Sequence, residues 1–221
     1  MIRQTILAVL AASLTASLPI AANPGPQFTH PLEINNPYLP LANLKKDVLE
    51  GTEKGKKLRA ERTRMPSRKS FSVNGQTVEA MIVEDREFMD GKLSEVTLDY
   101  FAQDDDGNVY YMGEDVNNYK DGTVIGHGGS WHYGKDGAKL GLLMPAHLVV
   151  GQKFRSEAIS AKSREADEII SLTNTAKVPA GTFTNCVAVK DTASDGEVEQ
   201  KIYAPGVGAI REEEAVLISL N

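Results

Sequence analysis

The chain has 221 residues, a formal net charge of −6 and a single cysteine, Cys186. That length can bury a core without staples, and one cysteine excludes an internal disulfide framework, so stability must come from packing and strand pairing. The acidic balance argues against nucleic acid as a partner.

The first residues read as an export signal. Arg3 precedes an apolar stretch from Thr5 to Leu18, followed by helix-breaking Pro19 and by Ile20-Ala21-Ala22. Small residues at the end of an apolar run suit a signal peptidase, and cleavage is expected after Ala22. The stretch is shorter than the ~20 apolar residues of a membrane span, and it is interrupted by Ser and Thr. No later apolar run approaches spanning length. The expected organisation is a signal peptide over 1–22, an extended Pro/Asn-rich lead-in over 23–43 and a single β-rich domain over 44–221. The expected location is the periplasm or the extracellular space.

The lead-in carries Pro24, Pro26, Pro31, Pro37 and Pro40, which fix φ and lack a ladder donor. Leu41 to Leu49 reads as a short helix or a first strand. Basic residues then cluster from Lys54 to Lys69, and the simplest reading puts them on the outer face of one or two strands. Such a stretch would also attract anionic head groups or an acidic partner.

Period-two segments dominate from there. Val96, Leu98, Tyr100 and Ala102 share one face and Glu95, Thr97 and Asp99 the other, the pattern of a half-buried strand. Turn dipeptides stand at Asn74-Gly75, Asp90-Gly91, Asp106-Gly107, Asp121-Gly122, Asp136-Gly137 and Asp195-Gly196, as in an antiparallel meander. Besides Leu41 to Leu49, a helical turn is conceivable over Ala158 to Glu168. Four further strands are expected over Ile169–Val178, Phe183–Asp191, Glu197–Ala204 and Ala209–Leu220. The predicted fold is mainly β: one domain of antiparallel, hairpin-connected strands. It forms a curved sheet or a partly open barrel or sandwich, with at most one or two short helices.

Several phrases occur in a fixed order: Asn36-Pro37-Tyr38-Leu39-Pro40-Leu41, Asp99-Tyr100-Phe101-Ala102-Gln103-Asp104 with Gly107-Asn108-Val109-Tyr110-Tyr111, Val178-Pro179-Ala180-Gly181-Thr182-Phe183 with Asn185-Cys186, and Tyr203-Ala204-Pro205-Gly206-Val207-Gly208. In these the chain resembles an uncharacterised family of secreted bacterial β-rich proteins. The resemblance implies a secreted β-domain and brings no reaction or ligand. In that family the positions of His127 and His132 usually carry Glu, which makes any site built on these histidines particular to this chain.

The candidate chemistry centres on Gly126-His127-Gly128-Gly129-Ser130-Trp131-His132-Tyr133. His-Gly-Gly is found in the oxyanion loops of some esterases, but the Gly-x-Ser-x-Gly elbow that would supply the nucleophile is missing. A hydrolase using Ser130 is therefore the third reading. A copper or zinc site using His127, His132, His147 and Met144 is the second, because imidazole and thioether suit those metals. Its difficulty is the odd spacing of five, which puts His127 and His132 on opposite faces of a continuous strand. Asp104-Asp105-Asp106-Gly107-Asn108 resembles the opening of a calcium loop but reads better as a hairpin turn. Cys186 reads as a small buried hydrophobe. The leading expectation is a non-enzymatic binding module. An amphipathic sheet with few helices to cover it would offer an apolar face to a lipid, an apolar small molecule or an envelope protein, with Trp131, Tyr111 and Tyr133 as candidate contacts.

Overall fold

Two-residue turns fold most of this chain back on itself. In the computed structural model, which describes residues 25–159, 166–193 and 196–221, Asn74 and Gly75 both take positive φ, as do Asp90 with Gly91 and Asp121 with Gly122. Two consecutive left-handed residues match the twist of the flanking strands, which is why these dipeptides close hairpins. Together with the longer turn from Asp104 to Asn108 between β4 and β5, they join β2 (Lys56–Val73), β3 (Gln76–Met89), β4 (Lys92–Gln103), β5 (Val109–Lys120) and β6 (Thr123–Gly126) into one antiparallel meander. β1 (Lys46–Glu53) precedes it and pairs with β2.

Two short strands, β7 (Trp131–His132) and β8 (Gly141–Met144), pair with the remainder of the β5 edge. A second meander follows, of β9 (Lys153–Phe154), β10 (Ala166–Val178), β11 (Gly181–Thr192), β12 (Val198–Ala204), β13 (Gly208–Glu212) and β14 (Ala215–Leu220). β14 then pairs with β1, which zips the two meanders into one 14-stranded sheet with the order β6-β5-β4-β3-β2-β1-β14-β13-β12-β11-β10-β9. The sheet is not closed into a barrel: β6 and β9 end it on either side. Mainly antiparallel β with hairpin connections is thus the observed fold.

The packing shows that the sheet curls. One core cluster joins Met81, Val83, Phe101 and Tyr111 of the first meander to Ile169, Val187, Val189 and Tyr203 of the second. Strands so far apart in sheet order touch only if the inner faces of the two halves meet. The opposite faces are covered separately, one by a cluster around Phe71, Val78, Tyr100 and Met112, the other by one around Leu49, Cys186, Ile210 and Leu217. Both sides of the sheet therefore carry buried side chains.

Four expectations need correction. Leu41–Asn43 is a single 3-10 turn, and β1 begins only at Lys46, so Leu41 to Leu49 is neither one helix nor one strand. Ala209 to Leu220 is two strands, because Glu213 adopts positive φ and turns the chain between β13 and β14. The basic stretch does not lie wholly outside, since Arg62 points into the interior of the curl. Finally, Thr97 and Asp99 do not face solvent: Thr97 is buried and Asp99 lines a cavity between the halves of the sheet. The signal peptide, most of the possible helical turn at Ala158 to Glu168, and Asp195 lie outside the described residues. Among the described residues no helix is long and apolar enough to cross a membrane.

Candidate functional site: an ionisable cavity inside the curl

The lead-in segment packs into the curl rather than extending away from it. Ile34 and Leu39 are buried in the inner core, while Phe28 packs on the outer cluster against Tyr110, and the Ala42 amide donates to the Ile34 carbonyl at 2.9 Å. Gln103 Oε1 accepts from the backbone amides of Asn35 and Asn36, and Asn36 Nδ2 donates to the Gly107 carbonyl. These bonds hold Leu39, Leu41 and Leu44 over a cavity of about 260 Å³ between the two halves of the sheet.

Cross-strand register delivers the other walls. Asp47 on β1 stands opposite Arg62 on β2, Arg62 opposite Asp85 on β3, and Asp85 opposite Thr97 on β4. Residues directly opposite share a face, so this row lies on one side of the sheet. One step along, Val83, Asp99 and Glu114 form a parallel row. From the second meander come Lys201 and Tyr203 on β12 with Ala209 and Glu212 on β13. Phe101 and Tyr111 supply an aromatic wall, with ring centroids 5.0 Å apart and the planes near parallel.

Arg62 ties the halves together. Its Nε and Nη2 donate to the two carboxylate oxygens of Asp47 at 2.8 and 2.9 Å, and Nη1 donates to Glu212 Oε1 at 2.9 Å. Burial works against its charge, but Glu212 and Asp47 hold the guanidinium well above its ordinary range. Lys201 is engaged in the same way, with Nζ 2.6 Å from Asp191 Oδ2. Both cations of the cavity wall therefore already have carboxylate partners.

The acids are less well served. Burial, reinforced by Glu212, Asp47 and Glu95 and opposed by Arg62, pushes the Asp85 carboxyl up to about 7. Its Oδ1 is sealed from solvent and accepts no hydrogen bond. Glu87, next on the same face, is also raised to about 7, by burial and then by Asp85 and Glu95. Asp99 is pushed well above its usual range, by burial first, although the hydrogen bond from Tyr111 opposes this. The Tyr111 hydroxyl lies 2.5 Å from Asp99 Oδ1 and 2.8 Å from Glu114 Oε2. One hydroxyl has one hydrogen to give. It donates to one carboxyl and accepts from the other, so that one of the pair holds a proton. Burial raises Glu114 as well, in keeping with a shared proton.

The residues singled out from the sequence fall in different places. Tyr111 lines the cavity, and Trp131 packs edge-on against its far side at 5.2 Å between centroids. Tyr133 packs against the cluster on the opposite face of the sheet. Met144 is fully buried in the inner core and His147 is exposed. His127 Nδ1 lies 3.0 Å from the Val116 carbonyl oxygen, while Ser130 Oγ accepts from the Val116 amide at 2.8 Å; both side chains tie their loop to β5. His132 belongs to a separate cluster, with Nε2 2.9 Å from Asp115 Oδ1 and 3.0 Å from Lys69 Nζ. Lys69 is also 2.8 Å from Asp115 Oδ2, to which the Tyr100 hydroxyl donates. Those four groups satisfy one another. Among the described residues, no three or more His, Cys, Asp or Glu side chains form a group fit to hold a metal ion.

Asp104 organises a turn, its Oδ1 accepting from the amides of Asp106 and Asn108 and its Oδ2 from Asn108 Nδ2. Cys186 is buried, and burial raises its thiol pKa.

The cavity residues Arg62, Asp85 and Asp99 did not emerge from the sequence as a site. A signal was present: Asp85 and Glu87 continue the period-two phase of the apolar Met81 and Val83, and Asp99 that of Phe101. Charged residues in phase with core residues of the same strand mark a lined interior. Fold and site together define a single-sheet β protein curled around a carboxylate-rich cavity. No family model, curated protein or solved structure matches the chain.

Proposed function

We propose that this chain is a non-enzymatic, exported binding module that holds a small, largely apolar molecule inside the curl. The observation that carries the reading is the cavity itself, about 260 Å³ between the two halves of the sheet, walled by Leu39, Leu41, Leu44, Phe101, Tyr111 and Val207. Charged residues, among them Asp47, Arg62, Asp85 and Lys201, line the rest of it, so the cavity joins an apolar wall to a polar one; small-molecule sites are concavities of that mixed kind, and this volume lies just below their usual range of roughly 300–1,000 Å³. Export is supported by the apolar run of Thr5 to Leu18 and the small residues after it. A binding role is favoured because the ionisable groups with well-defined partners are locked to one another: Arg62 to Asp47 and Glu212, His132 to Asp115.

Titration with a small apolar alcohol such as 1-octanol, followed by nuclear magnetic resonance, tests the reading. Saturable shifts are expected from residues lining the cavity. Val207→Phe, which pushes a ring into the space, is expected to weaken binding by at least tenfold. Shifts confined to the outer surface, or binding indifferent to Val207→Phe, would reject it.

A further inference from the structure

We propose that the far half of β2 is a docking edge, which takes an extended segment of a partner protein, acidic at its C-terminal end, as an added strand. The proposal is independent of the cavity. β1 pairs with β2 only from Lys56 to Thr63, and the Arg64 amide then donates to the Lys45 carbonyl at 3.3 Å. Beyond that point β2 runs on to Val73 with β3 on one side. On the other side, among the described residues, it meets no strand and makes no backbone hydrogen bond. An antiparallel strand aims its backbone groups alternately to its two sides, so a row of N–H and C=O groups is left facing outward. The formal ends of the sheet are guarded by brevity, β6 and β9 being 4 and 2 residues long. β10 also outruns β9, but its ladder with β11 slips three times between Ile169 and Ala176. From Arg68 to Val73 the ladder of β2 has no slip. It is a regular edge.

The side chains along this edge select the occupant. Phe71 and Val73 belong to the outer core cluster, so an added strand would extend that cluster with apolar residues in one phase. Arg68, Ser70 and Ser72 are exposed in the other phase. Between Arg64 and Arg68 the register with β3 shifts, which opens a cleft of about 430 Å³ with Leu32, Met65 and Met81 beside the two arginines. Nearby Arg59 and Arg62 are paired to carboxylates, whereas among the described residues Arg64 and Arg68 are in no ion pair; Arg64 donates to the Ala42 carbonyl. A glutamate entering the cleft would lay its methylenes on the methionines and its carboxylate between two uncommitted guanidinium groups. A strand running antiparallel to β2 brings its C-terminal end there. Glu79, which stands opposite Ser70 and accepts from its hydroxyl, disfavours further acids along the rest of the edge. A second copy of this chain fits poorly. Symmetric pairing centred on Pro66 sets Arg64 against Arg68, and pairing centred on Lys69 sets two lysines face to face; like charges directly opposite are destabilising.

The test uses the intact protein and a short synthetic peptide that alternates Val with Thr, with Glu replacing the Thr positions nearest its C-terminus. Nuclear magnetic resonance titration is expected to give saturable shifts and slowed amide exchange between Arg68 and Val73. The same peptide with Lys in place of Glu is expected to bind at least tenfold more weakly. Methylating alternate peptide nitrogens separates strand addition from simple charge attraction, because only one side of an added strand bonds to the edge. One methylation phase is expected to abolish binding and the other to leave it intact; equal effects of the two would overturn the proposal. Arg68→Ser changes an exposed side chain that is in no ion pair, and is expected to weaken the acidic peptide roughly threefold or more. Binding indifferent to Arg68→Ser would remove the charge selection. Slowed exchange of the edge amides with rising protein concentration, without peptide, would assign the edge to a second copy instead. Binding to phosphatidylglycerol vesicles but not to the peptide would assign the arginines to a membrane surface. Either result overturns the proposal, and so does failure of the acidic peptide to bind; none of them bears on the cavity.

Discussion

Arg62 shows how much one side chain decides in this fold. It stands on β2 and reaches Glu212 on β13, so a single guanidinium crosses the inner face of the curl. Its side chain is only 15% exposed, and that of its partner Asp47 only 7%. Replacing a buried ion pair by apolar groups can be neutral, but deleting one member leaves the other charge stranded, at a cost of about 3–5 kcal/mol. Arg62→Ala is therefore expected to lower the unfolding free energy by about that amount in urea titration. Arg62→Lys is expected to recover only part of it, because an ammonium cannot match both oxygens of Asp47. A loss below about 1 kcal/mol for Arg62→Ala would show that the pair does not bridge the halves. None of this was legible in the sequence, where Arg62 is one of eight basic residues between Lys54 and Lys69. Period-two phase tells which residues share a face. It does not tell which face turns inward when both are covered.

At the scale of elements, legibility tracks turn chemistry. Asn74-Gly75, Asp90-Gly91 and Asp121-Gly122 announce their hairpins because their residues tolerate left-handed φ. The Lys54-Gly55 turn carries half of that signal. The turn at Glu213-Glu214 carries none, which is why β13 and β14 read as one strand. Gly113 illustrates a further demand. It has φ of 128° in the middle of β5, where the ladder with β4 slips a residue, and an added Cβ would collide with the Trp131 backbone. The bulge lets β7 lie close enough to bring Trp131 under Tyr111. Gly113→Ala is expected to destabilise by about 1–3 kcal/mol, the cost of strain at such a position. It should also shift the emission of the chain's single tryptophan, because β7 must back away. Unchanged Trp131 fluorescence would mean that the bulge does not position this strand.

For the whole molecule, the consequence of curling a sheet around carboxyls is a stability that depends on pH in an unusual direction. Asp85 and Glu87 have folded-state pKa values near 7, well above those of exposed Asp and Glu in an unfolded chain. Between about pH 4 and pH 7 the folded state therefore binds more protons than the unfolded one, so stability falls as pH rises through that window. A fully shifted group contributes at most about 1.4 kcal/mol per pH unit there. Groups with lowered values act oppositely but elsewhere. Asp115, brought down to about 2 because hydrogen bonds from Lys69 and Tyr100 outweigh its burial, stabilises above the ordinary carboxylate range and loses that contribution only on acidification below it. The two effects place maximum stability near pH 4. Thermal unfolding of the ligand-free protein is expected to show a midpoint that declines from pH 5 to pH 8. Asp85→Asn, which cannot ionise, should match the unaltered protein near pH 4, exceed it near pH 8 and flatten the slope between them. The same slope in both proteins would mean that Asp85 titrates as an ordinary exposed acid. Its oxygen would then be open to water rather than sealed.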